Sequence, residues 1–200
     1  MKIFSLLVLL NLSMSFFLAN GQNTLWLTNG KKVGIGEYKI ENKDFITYKS
    51  VKNKSKGIES FDVFSIIEKN GNEIIIYSQD TSYEGSFNLL EMRAFVQGQA
   101  DANKNFKSPL ITVGGIVISG VSSVVINPVF VILVPGAYCS VIGLTKASEK
   151  RMNIPLEYKS NEHYLLGYKQ ESKHKRIKNA IIGSGIGLAV GFTTFALINK

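Results

Sequence analysis

No charged residue occurs between Ser108 and Thr145, a run of 38 positions, and a second uncharged run extends from Asn179 to Asn199. Charge is expensive in hydrocarbon, so apolar runs of this length point to a bilayer. A helix rises about 1.5 Å per residue and needs about 20 residues to span. The first run is therefore long enough for two passes and the second for one. What remains of the 200 residues leaves room for one modest soluble domain.

The formal charge of +8 is unevenly spread. Between Gln22 and Lys107, 12 Lys/Arg face 11 Asp/Glu, whereas between Thr145 and Lys178 there are 9 against 4. A basic stretch set between two apolar runs reads as a juxtamembrane segment, residues 146–178, facing anionic lipid rather than nucleic acid. Lys173, Lys175, Arg176 and Lys178 are the expected lipid-facing cations. At the other end, Lys2, the apolar stretch Ile3 to Leu18 and the small residues Ala19 and Gly21 form a signal-peptide pattern over residues 1–21. A cleaved signal or an uncleaved signal anchor would equally send Gln22 outward. Cys139 is the only cysteine; lying in an apolar run, it is expected to be a small buried hydrophobe.

Residues 22–80 alternate with period two and are cut by turn residues, notably Asn29-Gly30, Asn53 to Gly57 and Asn70-Gly71. Five strands are predicted: Leu25 to Thr28, Lys32 to Ile40, Phe45 to Val51, Ile58 to Glu68 and Glu73 to Ser78. A small SH3-like or Sm-like barrel is the economical way to hide the edges of so few strands, with a flat five-stranded sheet covered by a helix as the alternative. Trp26, Phe45, Tyr48, Phe61, Phe64 and Tyr77 are the expected aromatic core, and Gly34-x-Gly36 a strand bend.

Leu89, Met92, Phe95 and Val96 recur at helical spacing, giving a connecting helix over residues 87–107. Ser108-Pro109 suits a new helix start, and Asn127-Pro128 a turn between two apolar passes, so 108–145 reads as a helical hairpin. Pro135-Gly136 should kink its second arm, which makes a shallow re-entrant hairpin an alternative. A last transmembrane helix is expected over 179–199. Gly114, Gly115 and Gly120 in the first run, with Gly183, Gly187 and Gly191 in the last, mark faces where helix backbones can meet closely. The fold class is thus α+β, a small β domain followed by a membrane region of about three hydrophobic segments. Two topology rules conflict, because a complete hairpin returns the basic segment to the exported side, whereas its lysines and arginines favour the cytoplasm.

No catalytic, cofactor or metal constellation is recognisable. Gly183-x-Gly185-x-x-Leu188 lacks a third glycine and a preceding strand, so it is no dinucleotide loop. His163 and His174 stand eleven positions apart with no fixed acidic partner and read as solvated helix residues. Asp101 is expected to pair with Arg93 or a lysine, or to be solvated.

Phe45-Ile46-Thr47-Tyr48-Lys49, Asp62 to Ile67 and Glu91-Met92-Arg93 resemble an uncharacterised family of Bacteroidetes envelope membrane proteins. Pro128-Val129-Phe130, Pro135 to Tyr138 and Tyr164 to Tyr168 carry the same resemblance in the distal half. It implies an exported small β domain followed by glycine-rich transmembrane helices, and no established activity. The expected role is non-enzymatic: an integral protein of the bacterial envelope whose exported β domain docks another envelope protein, with membrane lipid as its other partner and a homo-oligomer possible. The alternative is an oligomeric channel or transport component, whose lining would draw on Thr112, Ser119, Ser122, Ser123 and Asn127.

Overall fold

The computed structural model describes residues 22–42, 44–82, 84–125, 131–147 and 152–198, so the signal-peptide pattern and the Asn127-Pro128 turn lie outside the described residues. The chain divides into two compact units, one of residues 22–28 with Lys32–Asp80 and one of Asn29–Lys31 with residues 81–198.

The first unit is a six-stranded antiparallel sheet: β1 Asn23–Leu27, β2 Lys32–Asn42, β3 Phe45–Ser50, β4 Ser55–Glu59, β5 Val63–Ile67 and β6 Glu73–Ile75, in the order β4-β3-β2-β1-β5-β6. Its turns use the positive φ that the Asn-Gly pairs supply, +75° at Gly30 and +88° at Gly71. The strand expected from Ile58 to Glu68 is broken by a 3₁₀ turn at Ser60–Asp62, which is why six strands replace five. That short turn also shapes the sheet. β4 and β5 are four strand spacings apart in the order, about 19 Å if flat. Four residue steps from Glu59 to Val63 reach at most about 14 Å. The sheet must therefore curl, and the turn is tied at both ends, by Ser60 N–H to the Asp44 carbonyl and Thr28 N–H to the Asp62 carbonyl, each 2.9 Å.

The curl does not become a closed barrel, which corrects the sequence expectation. β6 is only three residues long, and beyond it the amides of Ile76 and Tyr77 both turn to the Phe64 carbonyl instead of extending toward β4. The core is aliphatic rather than aromatic: Leu25, Ile35, Ile46, Val63 and Ile66. Val63 and Ile66, three apart, would face opposite ways in a regular strand. A bulge opposite Trp26/Leu27 turns both inward and leaves Phe64, fully buried, with Trp26 on the other face, ring centroids 5.3 Å apart. A second irregularity between Ile35 and Tyr38 gives the strand bend expected at Gly34-x-Gly36. Phe45 and Phe61 were expected in the core and are exposed instead. Alternation points Ile46 inward, so Phe45 points out, where its ring lies over Gly57 in the place a Cβ would take.

One ionisable pair joins distant parts of this sheet. Tyr38 Oη donates to Glu68 Oε1 at 2.8 Å, while the Asn70 and Asn72 side chains donate to Oε2. These hydrogen bonds, Tyr38 first, hold the Glu68 carboxyl below its ordinary range. A depressed carboxyl stabilises the fold above its unfolded value and loses that contribution as pH falls through the folded one. Wild type should therefore unfold in less urea as pH drops below about 4, and Glu68→Gln should show a shallower drop. Equal acid dependence in urea titrations of the two proteins would remove Glu68 from the account.

Among the described residues the second unit holds four α-helices: α1 Leu89–Asn105, α2 Pro109–Val125, α3 Leu133–Leu144 and α4 Glu162–Ile198. Asn88 and Glu91 close a capping box at the start of α1, with Asn88 Oδ1 accepting from the amides of Leu90 and Glu91 and Glu91 Oε2 from that of Asn88. α1 and α2 meet at a 64° bend. Pro109 opens α2 as expected, but the Ser108 hydroxyl is engaged by Asn179 Nδ2 at 2.9 Å. α3, at 12 residues, rises about 18 Å and is too short to cross a hydrocarbon layer of about 30 Å. Among the described residues only α4, at 37 residues, is by itself long and apolar enough to cross, and α1 and α2 reach that length and apolarity only together. It runs through Lys178-Asn179 without a break, so the basic stretch and the terminal apolar run form one element from Glu162 onward.

Candidate functional site

In the helical unit the usual distribution of side chains is inverted. Leu110, Val113, Val117 and Val121 of α2 and Ile181, Ile182, Ile186 and Val190 of α4 are exposed, while Ser119, Ser122, Ser123 and Ser184 are buried with Gly115, Gly183, Gly187 and Gly191. In water this arrangement would place a large apolar surface against solvent. In lipid it is the stable one, because apolar side chains meet hydrocarbon and small residues let backbones approach.

The approach is close and regular. Asn179 and Ser108 are 71 positions apart, and the same spacing relates Gly183 to Thr112, Gly187 to Ile116 and Gly191 to Gly120. α2 and α4 therefore run parallel, in step, four residues at a time. A Cβ added at Gly183 would strike the Thr112 carbonyl, one at Gly187 the Ile116 carbonyl, and one at Gly191 the Gly120 carbonyl at 2.6 Å. Gly115 faces Ser184 and Ala180 across the same seam, and Gly120 faces Gly187. Gly114 turns instead to α3, against Tyr138, whose hydroxyl donates to the Ile111 carbonyl at 2.7 Å. The seam continues above the apolar part, where Gly98 of α1 meets the Tyr164 backbone and Gly167 of α4 meets that of Phe95.

The cations expected to face lipid divide into two pairs. Lys173 and Lys178 are exposed. Arg176 is buried and donates to the Thr145 carbonyl at 2.5 Å and to its hydroxyl at 2.7 Å, fastening the end of α3 to α4. Lys175 points to the end of α1, where Nζ donates to the carbonyls of Ala102, Asn103 and Phe106 at 3.2, 2.7 and 2.9 Å. These are carbonyls at the C-terminal end of α1, which carry partial negative charge. For Lys175 and Arg176 the structure corrects the lipid-facing expectation: helical period, rather than position in the basic run, decides which way a cation turns.

Asp101 likewise finds neither Arg93 nor a lysine. Its carboxylate accepts from Tyr164 Oη at 2.8 Å and from Gln97 Nε2 at 3.2 Å. Burial first, then the Asp101 bond, hold the Tyr164 phenol above its ordinary range. Tyr168, also buried, accepts from the Asn153 amide at 3.2 Å. Both histidines have an acidic neighbour, which corrects the expectation of none: His163, half-buried, lies 3.9 Å from Glu91 and against the Phe87 ring, while His174, exposed as expected of a solvated helix residue, lies 3.6 Å from Glu171. Among the described residues no group of three or more His, Cys, Asp or Glu is gathered as metal ligands would be.

On the β unit, Asp44, Phe45, Glu59, Phe61, Ile76 and Tyr77 border an open groove of about 600 Å³. It lies beside the 3₁₀ turn, and Phe61, 73% exposed, stands at its rim. The buried positions of α4 recur every three or four residues from Tyr164 to Gly191, through Ser172, Arg176 and Ala180, so the continuity of that helix was readable in principle; the groove was not, since it exists only through the curl of the sheet.

No protein family matches the sequence, and no characterised protein or solved structure is similar to it.

Proposed function

We propose that this chain is a non-enzymatic integral membrane protein of a bacterial envelope, whose helical unit is the anchor and whose β unit, an open relative of SH3-like and Sm-like barrels, docks another envelope protein on its exported side. The observation that carries the membrane reading is the inverted burial in α2 and α4, with Ser119 and Ser184 inside and Val117 and Ile186 outside. The docking reading is supported by the acidic, aromatic groove at Phe45, Phe61 and Tyr77. An oligomeric channel needs a polar stripe open to water, but Ser119, Ser122 and Ser123 are closed in against α4, which favours the anchor.

The parallel packing of α1 and α2 along α4 also addresses the conflict of topology rules. The half of α4 from Glu162 to Lys178 lies beside α1, which supports a reading in which both stand on one side of the apolar layer and 108–145 goes in and comes back. Single cysteines at Ser86 and Ser160, each with Cys139→Ala, should both react with a membrane-impermeant thiol reagent added to intact spheroplasts. Labelling of one and protection of the other would overturn the re-entrant arrangement. Release of the chain by alkaline carbonate would overturn the membrane reading itself. A photo-crosslinking amino acid at Phe61 should give a discrete adduct in intact envelopes, and none would form at Phe61 if the groove is not a docking surface.

A further inference from the structure

β4 ends the sheet on its side: among the described residues no strand lies beyond it. It pairs with β3 in unbroken register and is exposed at every position except Ile58, which is half-buried. Its backbone phase is fixed at both ends, because Ser50 N–H donates to the Lys54 carbonyl and Ser60 N–H to the Asp44 carbonyl, each at 2.9 Å. An antiparallel ladder alternates, so Lys56 and Ile58 also direct their backbone groups to β3, while Ser55, Gly57 and Glu59 turn N–H and C=O outward. An edge of this kind is a template for another strand. It contains neither proline nor bulge, whereas the opposite edge, β6, is only three residues long.

The charges along the edge select the occupant. Lys52, Lys54 and Lys56 stand at its start and Glu59 and Asp62 at its end, all exposed. A strand laid antiparallel on it should therefore bring acid to the lysines and base to Glu59 and Asp62, and β4 itself has that charge order. We propose that two copies of this chain join β4 to β4, antiparallel, about a two-fold axis at Gly57. In that register Gly57 faces its own copy and Ser55 of each chain faces Glu59 of the other. All three are outward residues, so each of their N–H and C=O groups finds a partner; a slip by one residue would set outward groups against inward ones. The Phe45 ring, which lies over Gly57 and is 39% exposed, meets its copy at the axis, and the pairing covers both. This interface stands on the β unit alone and goes beyond the docking reading, needing neither the groove nor the membrane.

The full chain in neutral detergent should have the protein mass of two copies by light scattering. Residues facing one another in a hydrogen-bonded pair lie about 5.5 Å apart at Cα, within the span of a disulfide. A mixture of Ser55→Cys and Glu59→Cys chains, both with Cys139→Ala, should on mild oxidation yield about tenfold more linked dimer than either chain alone, because each residue is remote from its own copy. Glu59 has φ −74°, which proline adopts, and its N–H points away from β3. Glu59→Pro should thus leave the Trp26 urea transition in place and give a monomer. Lys54→Glu with Lys56→Glu, at exposed positions, should also shift the chain toward monomer. A monomeric native chain, or equal linking in the mixture and in the separate chains, would overturn the pairing. So would a dimer that survives Glu59→Pro, which would place the contact on another face such as the apolar helices.

Discussion

Gly183→Ala and Gly187→Ala should each lower the thermal midpoint of the helical unit, while Gly185→Ala, two residues from either, should leave it unchanged or raise it. Intrinsic propensity favours alanine over glycine in a helix by about 1 kcal/mol at all three positions. At Gly185 nothing lies within 4 Å of the added carbon, so that gain is unopposed. At Gly183 and Gly187 the new Cβ would overlap the carbonyls of Thr112 and Ile116, and these are backbone atoms that cannot rotate away. One helix must move off the other along a seam that repeats every four residues, so a cost at or above the upper end of the 1 to 3 kcal/mol range for overpacking is expected. Leucine at the same two positions should separate α2 from α4 altogether. Circular dichroism melts of the full chain in detergent would check this. Indistinguishable behaviour of Gly183→Ala and Gly185→Ala would mean that the seam is not the close contact described here.

Phe64→Ala should have the largest effect in the β unit. The side chain is fully buried and sits between Trp26 and Tyr77, with ring centroids 5.3 and 6.2 Å away. Truncating a buried phenylalanine costs about 3 to 5 kcal/mol. A unit of fewer than 60 residues has a total stability of about 3 to 8 kcal/mol, so the variant should be largely unfolded there in water. Trp26 is the only tryptophan and reports this unit directly: its emission should be red-shifted in the variant before any urea is added, while α-helical ellipticity persists. Phe61→Ala, at an exposed position, should leave the Trp26 transition within about 0.5 kcal/mol of wild type. A wild-type urea midpoint in Phe64→Ala would place that ring outside the core.

The contrast between Phe64 and Phe61 shows what a sequence pattern can and cannot carry. Both read as core aromatics because alternation marks positions, not faces, and one inserted residue exchanges the faces. The bulge in β5 and the 3₁₀ turn at Ser60–Asp62 are such insertions, and they separate the buried ring from the exposed one. Alternation also could not say that β6 would stop after three residues and leave the sheet open. The Asn-Gly turns at Gly30 and Gly71, by contrast, rest on a local steric property of glycine and were legible as written.

The sequence by itself determined the α+β class, the turn positions and the two places where charge is excluded. Each of these follows from a local preference: alternation for strands, positive φ for turns, and the cost of charge in hydrocarbon for the apolar runs. Tertiary structure alone decided that Lys175 and Arg176 turn inward, that Asp101 meets Tyr164, and that α4 is one helix carrying both a basic half and an apolar half. These are pairings between residues 31 to 72 positions apart, and their partners are chosen by helix phase and by how closely two backbones can lie. Composition fixes neither quantity, which is why a run of like cations in the sequence becomes, in the fold, two structural ties at Lys175 and Arg176 beside exposed lysines at 173 and 178.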